Sequence, residues 1–159
     1  MSISNLEVSD TERTILDDWE SLLYLICVLA TTGIIRQRKN AEIAGLDILG
    51  WFNGSAAKVA NTKRGHMHSA DNFCNHITEH FYDDGDDGST LADLAEELRE
   101  CLFNNKQLQS VKCRQGAYKY TDKCTKQRVD PLKPRAKYAD VIGDQLLAIL
   151  ERFASENSA

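Results

Sequence analysis

Residues 1–33 read MSISNLEVSDTERTILDDWESLLYLICVLATTG, and the run from Asp17 onward decides the fold. Asp17, Asp18 and Glu20 open a stretch that is apolar on almost every side after Ser21. Leu16, Trp19, Leu22, Leu23, Leu25, Ile26, Val28 and Leu29 leave hardly any polar face. The pattern predicts a helix over 15–32. Thr14 is its expected N-cap, and Asp17, three residues on, the acidic member of a capping box. Gly33 is expected to end it. A helix apolar all round belongs inside a domain rather than on its surface. Asp17 and Asp18 admit two readings. They suit the positive end of the helix dipole; alternatively, one is a structural anion that accepts backbone N–H bonds from another segment. A buried helix so near the first residue is expected of a chain that begins partway through a domain.

Downstream the chain reads as helices joined by loops, with little strand signal. Arg36 to Asn40 is a polar turn, and Ile43, Leu46 and Leu49 are at helical spacing in a shorter helix from about residue 41. Gly50-Trp51-Phe52-Asn53-Gly54 breaks that helix, and 55–65 form another short one. Ser69 caps a helix with Phe73, Ile77 and Phe81 four residues apart. An acidic loop, DDGDDG, occupies 83–88. Thr90 and Asp93 then start a helix marked by Leu91, Leu94, Ala95, Leu98 and Leu102. Residues 104–130 are polar, basic and aperiodic, and read as a long loop or insertion. A last amphipathic helix is expected from Tyr138 to Phe153, with Val141, Ile142, Leu146, Ile149, Leu150 and Phe153 inward, before a frayed tail at 155–159.

The chain has 159 residues, enough for one domain with a core. The apolar run at 22–30 is too short to span a bilayer and is preceded by acids, and no signal peptide is visible. The expected location is intracellular, cytoplasmic or nuclear, with no membrane partner. Five cysteines, an odd number without a CxxC pair, argue against a disulfide framework. Net charge is −5 but uneven: ten cations between Lys106 and Lys137 face only Asp122 and Asp130, giving +8 there and −13 elsewhere.

Candidate motifs are few. His76 and His80 are spaced i, i+4, as a metal pair can be, but Glu79 falls outside the His-Glu-x-x-His arrangement, and no metal site is expected. A calcium loop starting at Asp83 would put Gly85 and Leu94 at ligand positions, so DDGDDG reads as a solvated turn. Tyr118 and Tyr120 lie among the cations of 106–137, as in surfaces that stack single-stranded nucleic acid. No nucleic-acid module surrounds them, and nucleic acid is not the expected partner; a protein is left open. No nucleophile elbow, Walker loop or dinucleotide glycine pattern appears.

Two stretches resemble the fungal-type protein kinase family, with a more distant similarity to casein kinase 1. In such kinases the activation segment closes with Phe-Met-Ser-Ile or Tyr-Ala-Ser-Ile. After a polar loop, Asp-Asp-(Leu/Trp)-Glu-Ser leads into the central buried helix of the C-lobe. Met1-Ser2-Ile3 is similar to the first element and Asp17-Asp18-Trp19-Glu20-Ser21-Leu22 to the second. Leu49-Gly50-Trp51, the helix from Ser69 to Phe81, and Asp130-Pro131 before a final helix follow in the family's order. The resemblance implies that Asp18 anchors the backbone of a catalytic loop, and that Leu23 stands at the usual helix glycine. Arg135 is nearest to the arginine that pairs with a glutamate closing the activation segment, but Ile3 stands where that glutamate would be, so the pair is not expected.

The resemblance implies a mostly α fold: the helical C-lobe portion of a protein-kinase-like domain over 1–159, lacking the N-lobe and catalytic loop, with a basic loop or insertion at 104–130. The Gly-rich loop, strand Lys, HRD loop and DFG Asp, which position and neutralise the phosphates, are absent from the sequence. The expected protein is thus a kinase fragment without phosphotransfer of its own, from a truncated gene model, a degenerate copy or a split gene. No catalytic, cofactor or metal residue is expected in it; ATP and magnesium would serve only a full-length parent. The alternative is a small helical adaptor whose basic segment binds an anionic partner.

Overall fold

The computed structural model describes residues 2, 3, 6, 15–37, 46–81, 90–104, 111–113, 120–122, 128, 129 and 132–158. These are mostly helical. The expected N-cap Thr14, the start of the helix expected from residue 41, the DDGDDG loop and most of 104–130 lie outside them.

Helix α1 spans Ile15–Gln37. Leu16, Glu20, Leu23, Tyr24, Cys27, Ala30 and Thr31 are buried on it, a stripe with helical spacing. The expectation of a helix buried all round is corrected here. Ile15, Leu25 and Leu29 are 51%, 52% and 62% exposed, while Leu16, Leu23 and Cys27 on the other side of the helix are enclosed. Gly33 does not stop the helix, which runs on through the start of the expected polar turn to Gln37. A helical Gly costs about 1 kcal/mol relative to Ala, an amount that packing overrides.

In the described part of the helix expected from about residue 41, Asp47–Trp51 is a short 3-10 helix. At three residues per turn Ile48 and Trp51 eclipse one another, and both are buried. The chain then turns at Gly54, whose φ of +130° suits glycine; a Cβ there would come within 2.8 Å of the Lys58 side chain. Ser55 caps α2, Ala56–Met67, by accepting the Lys58 N–H. Ser69 caps α3, Ala70–His76, by accepting that of Asn72, as expected. The helix ends earlier than the spacing suggests, and Thr78–His80 form a 3-10 turn, yet Phe73, Ile77 and Phe81 all reach the core.

Helix α4, Leu91–Phe103, opens with the expected reciprocal capping box of Thr90 and Asp93. Leu94, Ala95, Leu98 and Leu102 are buried, while Leu91 in the first turn is 43% exposed. Within the segment read as a loop, Val111–Cys113 (β1), Tyr120–Asp122 (β2) and Arg128–Val129 (β3) pair antiparallel in the order β1-β2-β3. The register sets Lys112 opposite Thr121 and Thr121 opposite Arg128.

Helix α5 runs Leu132–Glu156 and so begins six residues before the expected start. Pro134 sits in its first turn, where an N–H has no intrahelical partner to lose. Ala139, Ile142 and Leu146 are its buried stripe. Val141, expected inward, is 46% exposed because it is one helical step off that stripe. Helices α1, α4 and α5 pack on one another, an Arg152–Glu97 ion pair tying α5 to α4. The short helices α2, α3 and Asp47–Trp51 form a second group beside α4 and α1. Among the described residues no helix is long and apolar enough to cross a membrane. Among the described residues Cys27, Cys74 and Cys101 are not joined in disulfides.

The one-sided burial of α1 makes a paired prediction. Leu23→Ala, at 0% exposure, should destabilise the fold by about 2–5 kcal/mol. Leu29→Ala, at 62%, should stay within about 0.5 kcal/mol. Urea denaturation followed by circular dichroism checks both; equal losses would mean that α1 is enclosed on both sides.

Candidate functional site

The first turns of α1 sort their acids by helical phase. Asp17 and Glu20 turn inward, at 1% and 0% exposure, and Asp18 turns outward. Glu20 and Tyr24 are one turn apart on the same face, and the Tyr24 hydroxyl donates to Glu20 Oε1 at 2.7 Å. The same oxygen accepts the backbone N–H of Ile3 at 2.6 Å. Ser2 and Ile3 are buried beside it. Glu20, a carboxylate in the first turns of this helix, therefore holds another backbone segment. Asp18, the residue the resemblance singled out, stands on the exposed flank with Ile15, Leu25 and Leu29. The sequence signal for Glu20 was its i, i+4 relation to Tyr24, which the paired aspartates overshadowed.

A chain of aromatic and basic side chains leads away from Glu20. The Tyr24 and Trp51 rings meet edge to face, centroids 4.9 Å apart at 64°. The Lys63 ammonium lies 3.8 Å from the Tyr24 centroid and 5.7 Å from that of Trp51. Lys63 is buried; burial pulls its pKa down, and the charge of Glu20 pulls it back up. Trp51 Nε1 donates to His66 Nδ1 at 2.9 Å. His66 stacks on His76, centroids 5.2 Å apart at 16°. His76 Nδ1 lies 2.6 Å from Asp47 Oδ2.

The histidine pairing differs from the sequence spacing. His76 closes α3 and His80 lies in the following 3-10 turn, so the two are not successive on one α-helix. His76 meets His66 of α2 instead, through a tertiary contact that spacing along the chain does not signal. Among the described residues no three His, Cys, Asp or Glu side chains converge as a metal site. Burial pushes the Cys27 thiol up, away from nucleophilic use. A second buried cation, Arg99, donates to the Met67 carbonyl and to Glu100 and lies 5.9 Å from the Phe73 ring. What the arrangement does chemically is hold: Glu20 fixes the segment in front of α1, and the ring chain joins that anchor to α2 and α3.

Removing the Tyr24 hydroxyl leaves Glu20 one donor short in a buried site, so Tyr24→Phe should cost about 1–3 kcal/mol. Glu20→Ala should in addition speed exchange of the Ile3 amide, read by hydrogen-exchange mass spectrometry of the N-terminal peptide. Unchanged exchange would show that Glu20 does not hold Ile3. Compared with known proteins, the chain matches no family model, no curated protein and no solved structure.

Proposed function

We propose that this chain is the distal C-lobe portion of a fungal-type protein kinase and acts as a scaffold rather than as a phosphotransferase. The observation that carries this reading is the hydrogen bond from Ile3 N–H to Glu20. It joins the two stretches on which the resemblance rests, Met1-Ser2-Ile3 and Asp17 to Leu22, although 17 positions separate the bonded residues. Under this reading Glu20 seats the end of the activation segment on the central helix. Asp18 anchors a catalytic loop over the opposite flank, and exposed Ile15, Leu25 and Leu29 receive apolar groups beside it. The compartment is intracellular, cytoplasmic or nuclear.

Under this reading ATP and magnesium belong to a full-length parent kinase. Glu20, one of the two carboxylates buried at the start of α1, is committed to Ile3 and Tyr24, and the described acids form no metal cluster. No step of phosphoryl transfer is assigned to them. The adaptor reading draws on the antiparallel pairing of β1, β2 and β3 inside the segment of charge +8, which gives that segment a backbone framework on which to meet an anionic protein.

Coexpression with a fungal-type kinase polypeptide that ends after its DFG element distinguishes the two. The expected result is a complex that transfers γ-phosphate to casein when neither half does so alone, with Asp18→Ala reducing transfer at least about tenfold through loss of loop positioning. Failure to associate, or transfer by this chain alone, would sink the scaffold reading. Retention of the chain on a polyanion column, lost on reversing the charges at Lys112 and Arg128, would favour the adaptor.

A further inference from the structure

The ring chain ends in a contact whose chemistry depends on one proton. His66 Nδ1 accepts the Trp51 N–H, so in this arrangement the imidazole is neutral with its proton on Nε2. A protonated imidazole carries N–H groups at both positions, and Nδ1–H would then point at the Trp51 N–H, donor against donor. The bond cannot survive that change. We propose that His66 and Trp51 form a proton-operated latch fastening the Asp47–Trp51 turn to α2, closed when His66 is neutral and released when it is protonated.

The groups around His66 set how the latch responds. From the Asp47–Trp51 turn, Asp47 faces it, and from α3 the His76 ring stacks on it. On α2 itself Arg64 and His68 flank it in sequence, and Lys63 lies over the Tyr24 and Trp51 rings. From α1, Tyr24 and Glu20 stand behind Trp51, and from α4 the Arg99 guanidinium donates to the carbonyl of Met67. Burial keeps His66 below its ordinary value; His76 pushes the same way, and Asp47 opposes them. The sign follows. The folded form binds this proton less readily than the open form, so the latch contributes fully above pH 6.5, the ordinary value. Its contribution is lost as pH falls through the lowered value of His66.

Release has a defined reach. Trp51 is buried among Tyr24, Lys63 and His66, and its turn carries Ile48 into the core. Opening the latch frees this turn first, because Trp51–His66 and His76–Asp47 are the side-chain bonds that tie it to α2 and α3 among the described contacts. Helices α1, α4 and α5 hold one another without it. The device stands on side-chain geometry and does not depend on the kinase reading.

The test uses the full chain with Trp19→Phe, which leaves Trp51 as the only indole. Proton–nitrogen NMR of the indole N–H is followed from pH 8 to pH 4.5, with the His66 ring C–H as the titration monitor. The expected result is one transition of the Trp51 signal, coincident with His66 and below pH 6.5. Exchange of the 48–52 amides, corrected for intrinsic rate, should rise by up to about tenfold per pH unit across it, while Leu98 stays protected. In His66→Gln the amide oxygen can accept the indole N–H but does not titrate, so the Trp51 transition should vanish. If that variant does not fold, His76→Gln serves instead: with the neighbouring imidazole gone, the shared midpoint should move upward. A Trp51 signal that stays constant while His66 titrates would overturn the latch. So would an unchanged transition in His66→Gln, or, in His76→Gln, a Trp51 midpoint that parts from that of His66.

Discussion

Glu20 sits at 0% exposure and its Oε1 receives two donors, Ile3 N–H and Tyr24 O–H. Taking a carboxylate out of water costs several kcal/mol, and only well-placed donors offset it. That requirement constrains three things together. Ile3 must lie against the start of α1, Tyr24 must keep its hydroxyl pointed back one turn, and α1 must present this face to the core. Once it does, helical geometry disposes of the other acids. At about 100° per residue, Asp17 comes round near the side of Glu20, whereas Asp18 lies about 200° from it. Asp17 is indeed buried and Asp18 exposed. The orientation of the acidic pair is thus a consequence of the anchor rather than an independent choice.

The anchor also organises the short helices. Tyr24 extends from it to Trp51, Lys63 covers both rings, and Trp51 passes the contact to His66, His76 and Asp47. Lys63 belongs here for a physical reason. A buried ammonium needs nearby negative charge, and Glu20 supplies it through space while the Tyr24 ring faces the cation. Four elements that share one apolar core are also joined by one run of directional contacts. Directional contacts specify geometry more tightly than apolar burial, which tolerates repacking.

Most helices could be read from the chain because their signals are local. The Thr90–Asp93 capping box, the Ser69 cap and the stripe of Leu94, Leu98 and Leu102 depend on residues within a turn or two of one another. The readings that failed needed information from elsewhere. Gly33 reads as a stop, but α1 continues through it to Gln37, a helical Gly costing only about 1 kcal/mol. Val141 is apolar yet lies outside the stripe that α1 and α4 select. The pairing of β1, β2 and β3 has almost no periodic signature in strands of two or three residues. At the site, the idea of a carboxylate tethering backbone was legible. Its assignment to Glu20 was not, because which acid turns inward depends on helix phase relative to a core assembled from distant residues. The His66–His76 stack was likewise invisible, since it joins two helices.

The two flanks of α1 point to different roles. The inner flank is satisfied by this chain's own residues: Glu20 has its donors, and Leu16, Leu23 and Cys27 are enclosed. On the outer flank Ile15, Leu25 and Leu29 are more than half exposed and Leu22 is partly so, at spacings of three and four along the helix, with Asp18 among them. Single exposed leucines are ordinary on protein surfaces; a seam of them running four turns is not. A free-standing adaptor would gain solubility from polar residues there at no loss to its core. A helix that receives a second layer needs the apolar seam. The scaffold proposal draws on this asymmetry in apolar exposure between the two flanks.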